Sequence, residues 1–142
     1  MSKRKTIIVL GNNIASVTQL VTKIKRNIDN RVDVVQSMDA IDAVSLIPPG
    51  EDCVVISESC VSSGKIASIH LTSGNEHLLV AGKKANQACK FIIYDSLFIQ
   101  KEKERFDCYI NKAHKDAFRL LVDKIRQYLK TKNYVFQKPA SS

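Results

Sequence analysis

The chain has 142 residues, of which 44% are hydrophobic and 25% charged, and its formal net charge is +8. This is the composition of a globular chain that is large enough to bury its own core, so a disordered or fibrous protein is excluded. No apolar run reaches the length of a membrane span, and the basic start lacks the long apolar stretch of a signal peptide, so we expect a cytoplasmic protein.

Strand and helix patterns alternate along the chain. Residues 6–10 (TIIVL) form a continuous apolar run, which is typical of a strand buried on both faces. After a turn, Val17, Leu20 and Ile24 fall at helical spacing and predict the first helix. By the same signals, the other predicted strands are 32–35, 53–56, 89–94 and 108–110, and the other helices are 38–47, 76–87, 96–106 and 118–129.

The middle and the end of the chain give weaker patterns. Residues 57–75 are rich in Ser and Gly and predict a loop with a helical turn near 66–71. Residues 76–87 fit a third helix best, although residues 77–81 could instead be a strand. Residues 131–142 contain Pro139 and two final serines, which predicts a tail or linker after a domain spanning residues 1–130.

Five strands that alternate with five helices predict an α/β fold. The expected arrangement is flavodoxin-like: a doubly wound, five-stranded parallel sheet in the order 2-1-3-4-5, with helices on both faces. In this fold the functional crevice lies at the carboxyl ends of the first and third strands. Polar residues follow the predicted strands at that edge, among them Asn12, Asn13, Ser57 and Lys112.

Three segments at this edge carry a resemblance to a known family: IIVLGNN, PGEDCVVIS and DCYINKA. Over residues 6–130 the chain resembles the response-regulator receiver domains, the CheY-like family. The resemblance implies two acids after the first strand, a phosphoacceptor aspartate ending the third, and a switch aromatic and a lysine at the fifth. Asn12 and Asn13 match the two acids, Ser57 the acceptor, Tyr109 the aromatic and Lys112 the lysine.

The departures from the family pattern indicate a degenerate receiver, or pseudo-receiver. Receiver chemistry needs carboxylates to hold Mg²⁺ and to accept the phosphoryl group, whereas Asn12, Asn13 and Ser57 carry no charge. We therefore expect no catalytic residue, no metal, no cofactor and no enzymatic activity. A register shifted by one residue would instead place Glu58 near Lys112 and mimic an activated state; the end of the apolar run CVVI favours Ser57.

Each of these residues also has a structural interpretation. Asn12 and Asn13 follow a glycine, and asparagine side chains commonly stabilise turns. Lys112 could hydrogen-bond loop carbonyls or extend to solvent. Tyr109 could be a half-buried strand aromatic, and Asp95 could supply one lone acid to the crevice.

Cysteine and histidine give no sign of metal or disulfide chemistry. The four cysteines, Cys53, Cys60, Cys89 and Cys108, lack the spacing of metal ligands, and the three histidines have no partner at ligand spacing. We expect reduced cysteines with a structural role, three of them within strand-like runs.

These patterns predict a signalling domain that cannot be phosphorylated in the usual way and acts through protein–protein interaction. The expected interaction face, formed by the predicted fourth helix, the fifth strand and the C-terminal helix, would bind a protein partner or a second copy of the chain. Its charged residues are Lys101, Lys103, Arg105, Arg119 and Lys124. Mixed charges and few aromatics argue against nucleic acid. The alternative function is a flavodoxin-like domain that binds a small anionic ligand or nucleotide in the crevice.

Overall fold

The computed structural model describes residues 5–11, 13–29, 31–58, 74–95 and 106–130, with backbone alone for residues 40 and 74–79. Its five strands are β1 (Lys5–Gly11), β2 (Val32–Ser37), β3 (Asp52–Glu58), β4 (Lys90–Asp95) and β5 (Cys108–Asn111). The helices within these ranges are α1 (Ile14–Asn27), α2 (Ala40–Ser45), α3 (Gly74–Ala85) and α4 (Ala117–Leu129).

The strands form one parallel sheet in the order β2-β1-β3-β4-β5. This confirms the predicted flavodoxin-like fold and places β1 and β3 side by side at the centre. Their register aligns Leu10 with Ser57 and Gly11 with Glu58, so both strands end at the same level. The carboxyl ends of the two strands therefore meet at one edge of the sheet, where the candidate site lies.

Two hydrophobic clusters cover the two faces of the sheet. The first packs α1 and α4 against Ile7, Val9, Val54 and Ile56. The second packs residues of α2 and its neighbourhood, with Phe91, against Ile8, Leu10, Cys53 and Val55. Because successive strand residues point to opposite faces, β1 and β3 contribute to both clusters and must be apolar throughout. This is why their runs carry no polar alternation.

The observed elements differ from the predicted ones mainly at their ends. Strand β3 continues two residues beyond the predicted end, through Ser57 and Glu58, which are both buried. Helix α2 begins at Ala40 because the Asp39 carboxylate accepts a hydrogen bond from the Asp42 N–H at 2.8 Å, which caps the helix. Residues 77–81 lie in helix α3, so the alternative strand there was wrong.

Several predictions fall on parts of the chain that the structure does not describe. They are the helical turn near 66–71, most of the fourth helix at 96–106, and the tail at 131–142. Within the described ranges, no helix combines the length and the apolar character needed to cross a membrane.

The cysteines of the described segments lie in or beside the core. Cys53 and Cys89 are buried and Cys108 is half-buried, all three as free thiols, whereas Cys60 falls outside these segments. A hydrogen bond with the neighbouring Cys89 thiol, together with burial, raises the pKa of the Cys53 thiol far above its usual range. Cys53 is thus held neutral, as expected of a structural cysteine.

Candidate functional site

An ion pair lies at the carboxyl edge of the sheet. The Lys112 ammonium, just after β5, is 2.7 Å from Oε2 of Glu58, the last residue of β3. The Glu58 side chain is only 4% exposed, whereas the Lys112 side chain is 35% exposed. The contact spans 54 positions of the sequence and joins the end of β3 to the loop after β5.

A second donor contacts the Glu58 carboxylate. The Ser16 hydroxyl, in the first turn of α1, donates a hydrogen bond to the same Oε2 atom at 2.9 Å. Burying a carboxylate costs free energy unless the charge is paired and hydrogen-bonded, and both conditions are met here. Three separate elements, α1, β3 and the loop after β5, therefore converge on one oxygen atom.

An aromatic ring borders the pair. The Lys112 ammonium lies 6.0 Å from the centroid of the Tyr94 ring, which is buried on β4. Burial raises the pKa of the Tyr94 hydroxyl, and the Glu58 carboxylate raises it further. The Tyr94 hydroxyl therefore keeps its proton more firmly than a solvent-exposed tyrosine does, and Tyr94 places an uncharged side chain beside the ion pair.

Asn13 has a structural role in this region. Its side-chain oxygen accepts a hydrogen bond from the Ser16 N–H at 3.0 Å and caps α1, while the residue itself is exposed. For Asn13, this agrees with the interpretation as a turn residue. Capping also holds the backbone of Ser16, whose hydroxyl reaches Glu58. Asn12 lies outside the described residues.

Ser57 precedes the ion pair by one residue and is completely buried. It stands opposite Leu10 of β1 and Ile93 of β4, and the alternation of side chains directs it to the face of the sheet away from Glu58. The residue that meets Lys112 is Glu58. The alternative register also placed Glu58 near Lys112, and the assignment of the acceptor position to Ser57 stays a prediction from the sequence.

Tyr109 is half-buried on β5, opposite Ile93, which agrees with its interpretation as a strand aromatic. Burial raises the pKa of its hydroxyl, and the Asp95 carboxylate adds to the shift. A role of Tyr109 as a switch stays a prediction. Asp95, at the end of β4, is paired in register with Asn111.

The predicted interaction face is described only in part. Arg119 is largely exposed and lies 3.2 Å from the Asp116 carboxylate. The Lys124 ammonium lies 5.6 Å from the centroid of the Tyr128 ring. Lys101, Lys103 and Arg105 lie outside the described residues.

The described part of the candidate site shows no cluster of metal ligands. Among the described side chains, no three of the types His, Cys, Asp and Glu come together as metal ligands. Oε2 of the Glu58 carboxylate is already bound by Lys112 and Ser16. The contacts of Glu58 with Ser16 and Lys112 can fix the relative positions of α1, β3 and the loop after β5.

Comparison with known proteins shows similarity at the level of structure. No protein-family profile and no curated protein matches the chain. The Francisella response regulator 1452 receiver domain is 18% identical, with a TM-score of 0.63, covering 88% of this chain and 96% of that chain. A CheY-like receiver domain protein from Methanospirillum hungatei is also 18% identical, with a TM-score of 0.64 and coverage of 89% and 94%.

A third similar structure is a complex with ligands. It is the response regulator TrrA of Thermotoga maritima in complex with Mg²⁺ and beryllofluoride, 16% identical, with a TM-score of 0.63, covering 88% of this chain and 99% of that chain. Identities at this level establish the fold alone. The chain therefore has the fold of the response-regulator receiver domains, with an ion pair between Glu58 and Lys112 at the carboxyl edge of its sheet.

Proposed function

We propose that the chain is an atypical receiver-like signalling domain that works without phosphorylation, through contacts with a partner protein. The observation that carries the proposal is the ion pair between Glu58 and Lys112, at 2.7 Å. In the receiver family the corresponding lysine stabilises the phosphorylated aspartate, as the resemblance implies. In this chain Lys112 already forms an ion pair with the Glu58 carboxylate, which is a permanent part of the protein.

The ion pair reduces the free energy that a phosphoryl group could gain by binding Lys112. A phosphate arriving at this edge would compete with Glu58 for the Lys112 ammonium and would leave a buried carboxylate without its partner. Leaving one charge of a buried pair uncompensated costs about 3–5 kcal/mol. Because the Lys112 side chain is one-third exposed, this cost in free energy is smaller here. The cost still disfavours phosphorylation and favours a single conformation.

Mg²⁺ would also gain little binding free energy at this edge. Mg²⁺ binds carboxylate oxygens in octahedral geometry and gives up its water reluctantly. Asn12 and Asn13 are neutral, and the Asn13 oxygen already accepts the Ser16 N–H. Since Lys112 neutralises Glu58, that carboxylate offers no excess negative charge to a cation.

A domain without this chemistry must signal by binding. The proposed surface is the interaction face predicted from the sequence, of which Arg119 is a described residue. It would bind a protein partner or a second copy of the chain. Leu120, 40% exposed beside Arg119, adds an apolar contact of the kind that interfaces use at their centre.

The alternative function, binding of a small anionic ligand or nucleotide in the crevice, needs Lys112 as its cation. The ion pair with Glu58 counts against it, because the ligand would first have to displace a buried carboxylate. A thermal-shift screen with nucleotides distinguishes the two: stabilisation that is lost in Lys112→Met would favour the alternative.

The decisive test is an amide NMR titration of the protein with Mg²⁺ and beryllofluoride, which mimics a phosphoryl group. We expect no saturable shifts at Asn13, Glu58 or Lys112. Saturable shifts there and at Tyr109 would overturn the proposal, because they would show that the pocket still binds the phosphoryl mimic.

A matched variant makes a negative result meaningful. Asn12→Asp and Asn13→Asp add two acids, and Glu58→Asp keeps the third while shortening the side chain that pairs with Lys112. We expect this variant to show Mg²⁺-dependent shifts at the crevice under the conditions that leave the natural chain unchanged. If neither protein responds, acidic residues are not what limits binding at this edge, and the argument from charge fails.

A further inference from the structure

Three lysines converge at the opposite edge of the sheet, where the strands begin. The Lys90 and Lys124 ammonium groups lie 5.9 Å and 5.6 Å from the centroid of the Tyr128 ring. The Tyr128 hydroxyl donates to the Asp107 carbonyl at 3.3 Å, and the Lys83 ammonium lies 3.5 Å from the Asp107 carboxylate. These contacts join α3, β4 and α4 around Asp107 and Tyr128, and we call Lys83, Lys90 and Lys124 the lysine cluster.

The lysine cluster carries more positive charge than its surroundings neutralise. Asp107 is the carboxylate in contact with it, and the same Oδ2 atom also accepts the Phe91 N–H at 2.7 Å. Within the described parts of the chain, neither Lys90 nor Lys124 has a carboxylate within ion-pair distance; Lys124 contacts the Gln127 amide oxygen at 3.2 Å.

Two further lysines extend the charge. Lys84 is exposed in the last turn of α3, next to Lys83, and Lys130 is exposed at the end of α4. Basic residues suit the ends of helices because they oppose the negative end of the helix dipole. That preference accounts for some of these lysines, but Lys90 begins a strand and gains nothing from it.

We propose that the lysine cluster binds an acidic segment of a partner protein. The inference deepens the proposed function, since it names the chemistry of one partner for a domain that signals by contact. The Lys90 and Lys124 ammonium groups lie near the half-buried Tyr128 ring and act as point charges. A point charge can pair with a carboxylate that approaches from any of several directions. Binding of this kind is fast, selective for charge and sensitive to salt.

The geometry favours an acidic peptide over nucleic acid. Bases stack on an open aromatic face, whereas the Tyr128 ring has lysines beside it and its hydroxyl is bound to Asp107. A duplex also needs an extended basic stripe along its phosphates. The cluster is compact, since its lysines lie around Tyr128 and Asp107.

The lysine cluster and the Glu58–Lys112 pair are separate sites. β4 runs from Lys90 at one edge to Asp95 at the other, and a strand of this length spans about 17–20 Å. An acidic segment on the cluster therefore leaves the crevice accessible, and the two sites can be tested independently.

The test is an NMR titration of the whole chain with a short peptide of alternating glutamate and glycine, and with the same peptide carrying glutamine in place of glutamate. We expect saturable shifts at Lys90, Lys124 and Tyr128 with the acidic peptide only. Raising the salt from about 0.05 M to about 0.3 M should weaken the binding, because the Debye length shortens. Equal binding of the glutamine peptide would overturn the proposal.

Charge-matched variants locate the site. Lys90→Gln with Lys124→Gln should lower the affinity about tenfold, from the loss of two ion pairs. Lys25→Gln with Lys115→Gln removes the same charge from exposed positions elsewhere and should change it less than twofold. Equal losses in both variants would mean that net charge alone attracts the peptide and would refute the site.

Two further outcomes separate the explanations. A duplex DNA that binds the same residues more tightly than the acidic peptide would overturn the choice of partner. Shifts with beryllofluoride at Lys112, together with peptide binding at Lys90, would refute phosphorylation independence and leave the lysine cluster intact. Unchanged spectra of the glutamine variants away from the substitutions confirm that these variants are folded.

Discussion

Gly11 lies directly opposite Glu58 in the register of β1 and β3, and the two residues are in close contact. A Cβ atom added to Gly11 would lie 2.6 Å from the Glu58 carbonyl oxygen and 3.3 Å from the Glu58 Cβ. It would also lie 3.0 Å from Cγ2 of Val17, a buried residue of α1. The absence of a side chain at Gly11 therefore lets α1 and the end of β3 approach each other, and this approach allows Ser16 to reach Glu58.

Gly11→Ala should destabilise the protein and disturb the ion pair. Its neighbours are backbone and a packed valine, so the extra methyl group must displace β3 or α1, at a cost of about 1–3 kcal/mol. Urea denaturation measures the loss, and NMR shifts at Lys112 report the movement of Glu58. Gln19→Ala, on the exposed face of α1, is the control and should change stability by less than about 0.5 kcal/mol. A fully stable Gly11→Ala protein would show that the contact is not tight.

Removing the two partners of the ion pair should have unequal effects. Lys112→Met leaves the buried Glu58 carboxylate without its cation, whereas Glu58→Gln leaves Lys112 with access to water. We expect a loss of about 2–4 kcal/mol for Lys112→Met and about 1 kcal/mol for Glu58→Gln, because an uncompensated buried charge is the costlier defect.

The double variant of Lys112→Met and Glu58→Gln completes the comparison. It should be more stable than Lys112→Met alone, since it removes the uncompensated carboxylate. The free energies of unfolding of all four proteins give the coupling between the two side chains. Equal and additive losses would contradict the burial of Glu58 and would weaken the proposed function.

The fold could be predicted from the sequence because its signals are local. Residues 7–10 and 53–56 are apolar without interruption, as a strand covered on both faces requires, and α1 shows the spacing of one buried face. The site could be predicted only to within one residue. The apolar run ends at Ile56, but β3 continues, because Glu58 finds its partners Ser16 and Lys112 far away in the sequence. No local pattern reveals such partners.

The ion pair between Asp29 and Arg31 gives stability that depends on pH. Hydrogen bonds from the Arg31 side chain lower the pKa of Asp29 from 3.8 to about 2. Since the folded protein holds this group in its charged form, the contribution is complete above the unfolded pKa and is lost as the pH falls through about 2. Asp29→Asn should therefore be less stable at neutral pH by at most about 1 kcal/mol, because Arg31 is largely exposed.

The pH profile distinguishes this ion pair from simple packing. The difference in urea midpoint between the natural chain and Asp29→Asn should be constant above about pH 4 and should shrink as the pH approaches 2. Asp123→Asn, whose carboxylate is exposed and 4.0 Å from Arg126, serves as the comparison. A difference that stays constant down to pH 2 would show that the Asp29 carboxylate contributes through something other than its charge.

Gly82 should not tolerate a side chain, although it lies inside a helix. A Cβ there would be 2.5 Å from Cζ of Phe91 and 3.3 Å from Cδ1 of Ile47, and the Phe91 ring is completely buried. Gly82→Ala gains about 1 kcal/mol in helix propensity. Overpacking should outweigh that gain and leave a net loss of about 1–2 kcal/mol in thermal or urea denaturation. Lys84→Ala, exposed in the same helix, should be close to neutral, and a stabilised Gly82→Ala would contradict the packing.

Asn86 joins the end of α3 to the segment between α2 and β3 and was not singled out from the sequence. Its buried amide donates to the Pro48 carbonyl at 2.9 Å and to the Glu51 carbonyl at 2.6 Å, and its oxygen accepts the Ala88 N–H at 3.0 Å. Asn86→Ala removes all three bonds and should cost about 2–4 kcal/mol. Gln87→Ala, at the exposed neighbouring position, is the control and should be nearly neutral.

Asn86→Asp tests the donors separately from the shape of the side chain. A carboxylate at this position would face the carbonyl oxygens of Pro48 and Glu51, so its charged form is destabilised and its pKa in the folded protein should rise. The variant should therefore be least stable at neutral pH and should recover stability as the pH falls and the carboxyl group becomes protonated. Urea midpoints that do not change with pH relative to the natural chain would show that the two carbonyls do not define this site.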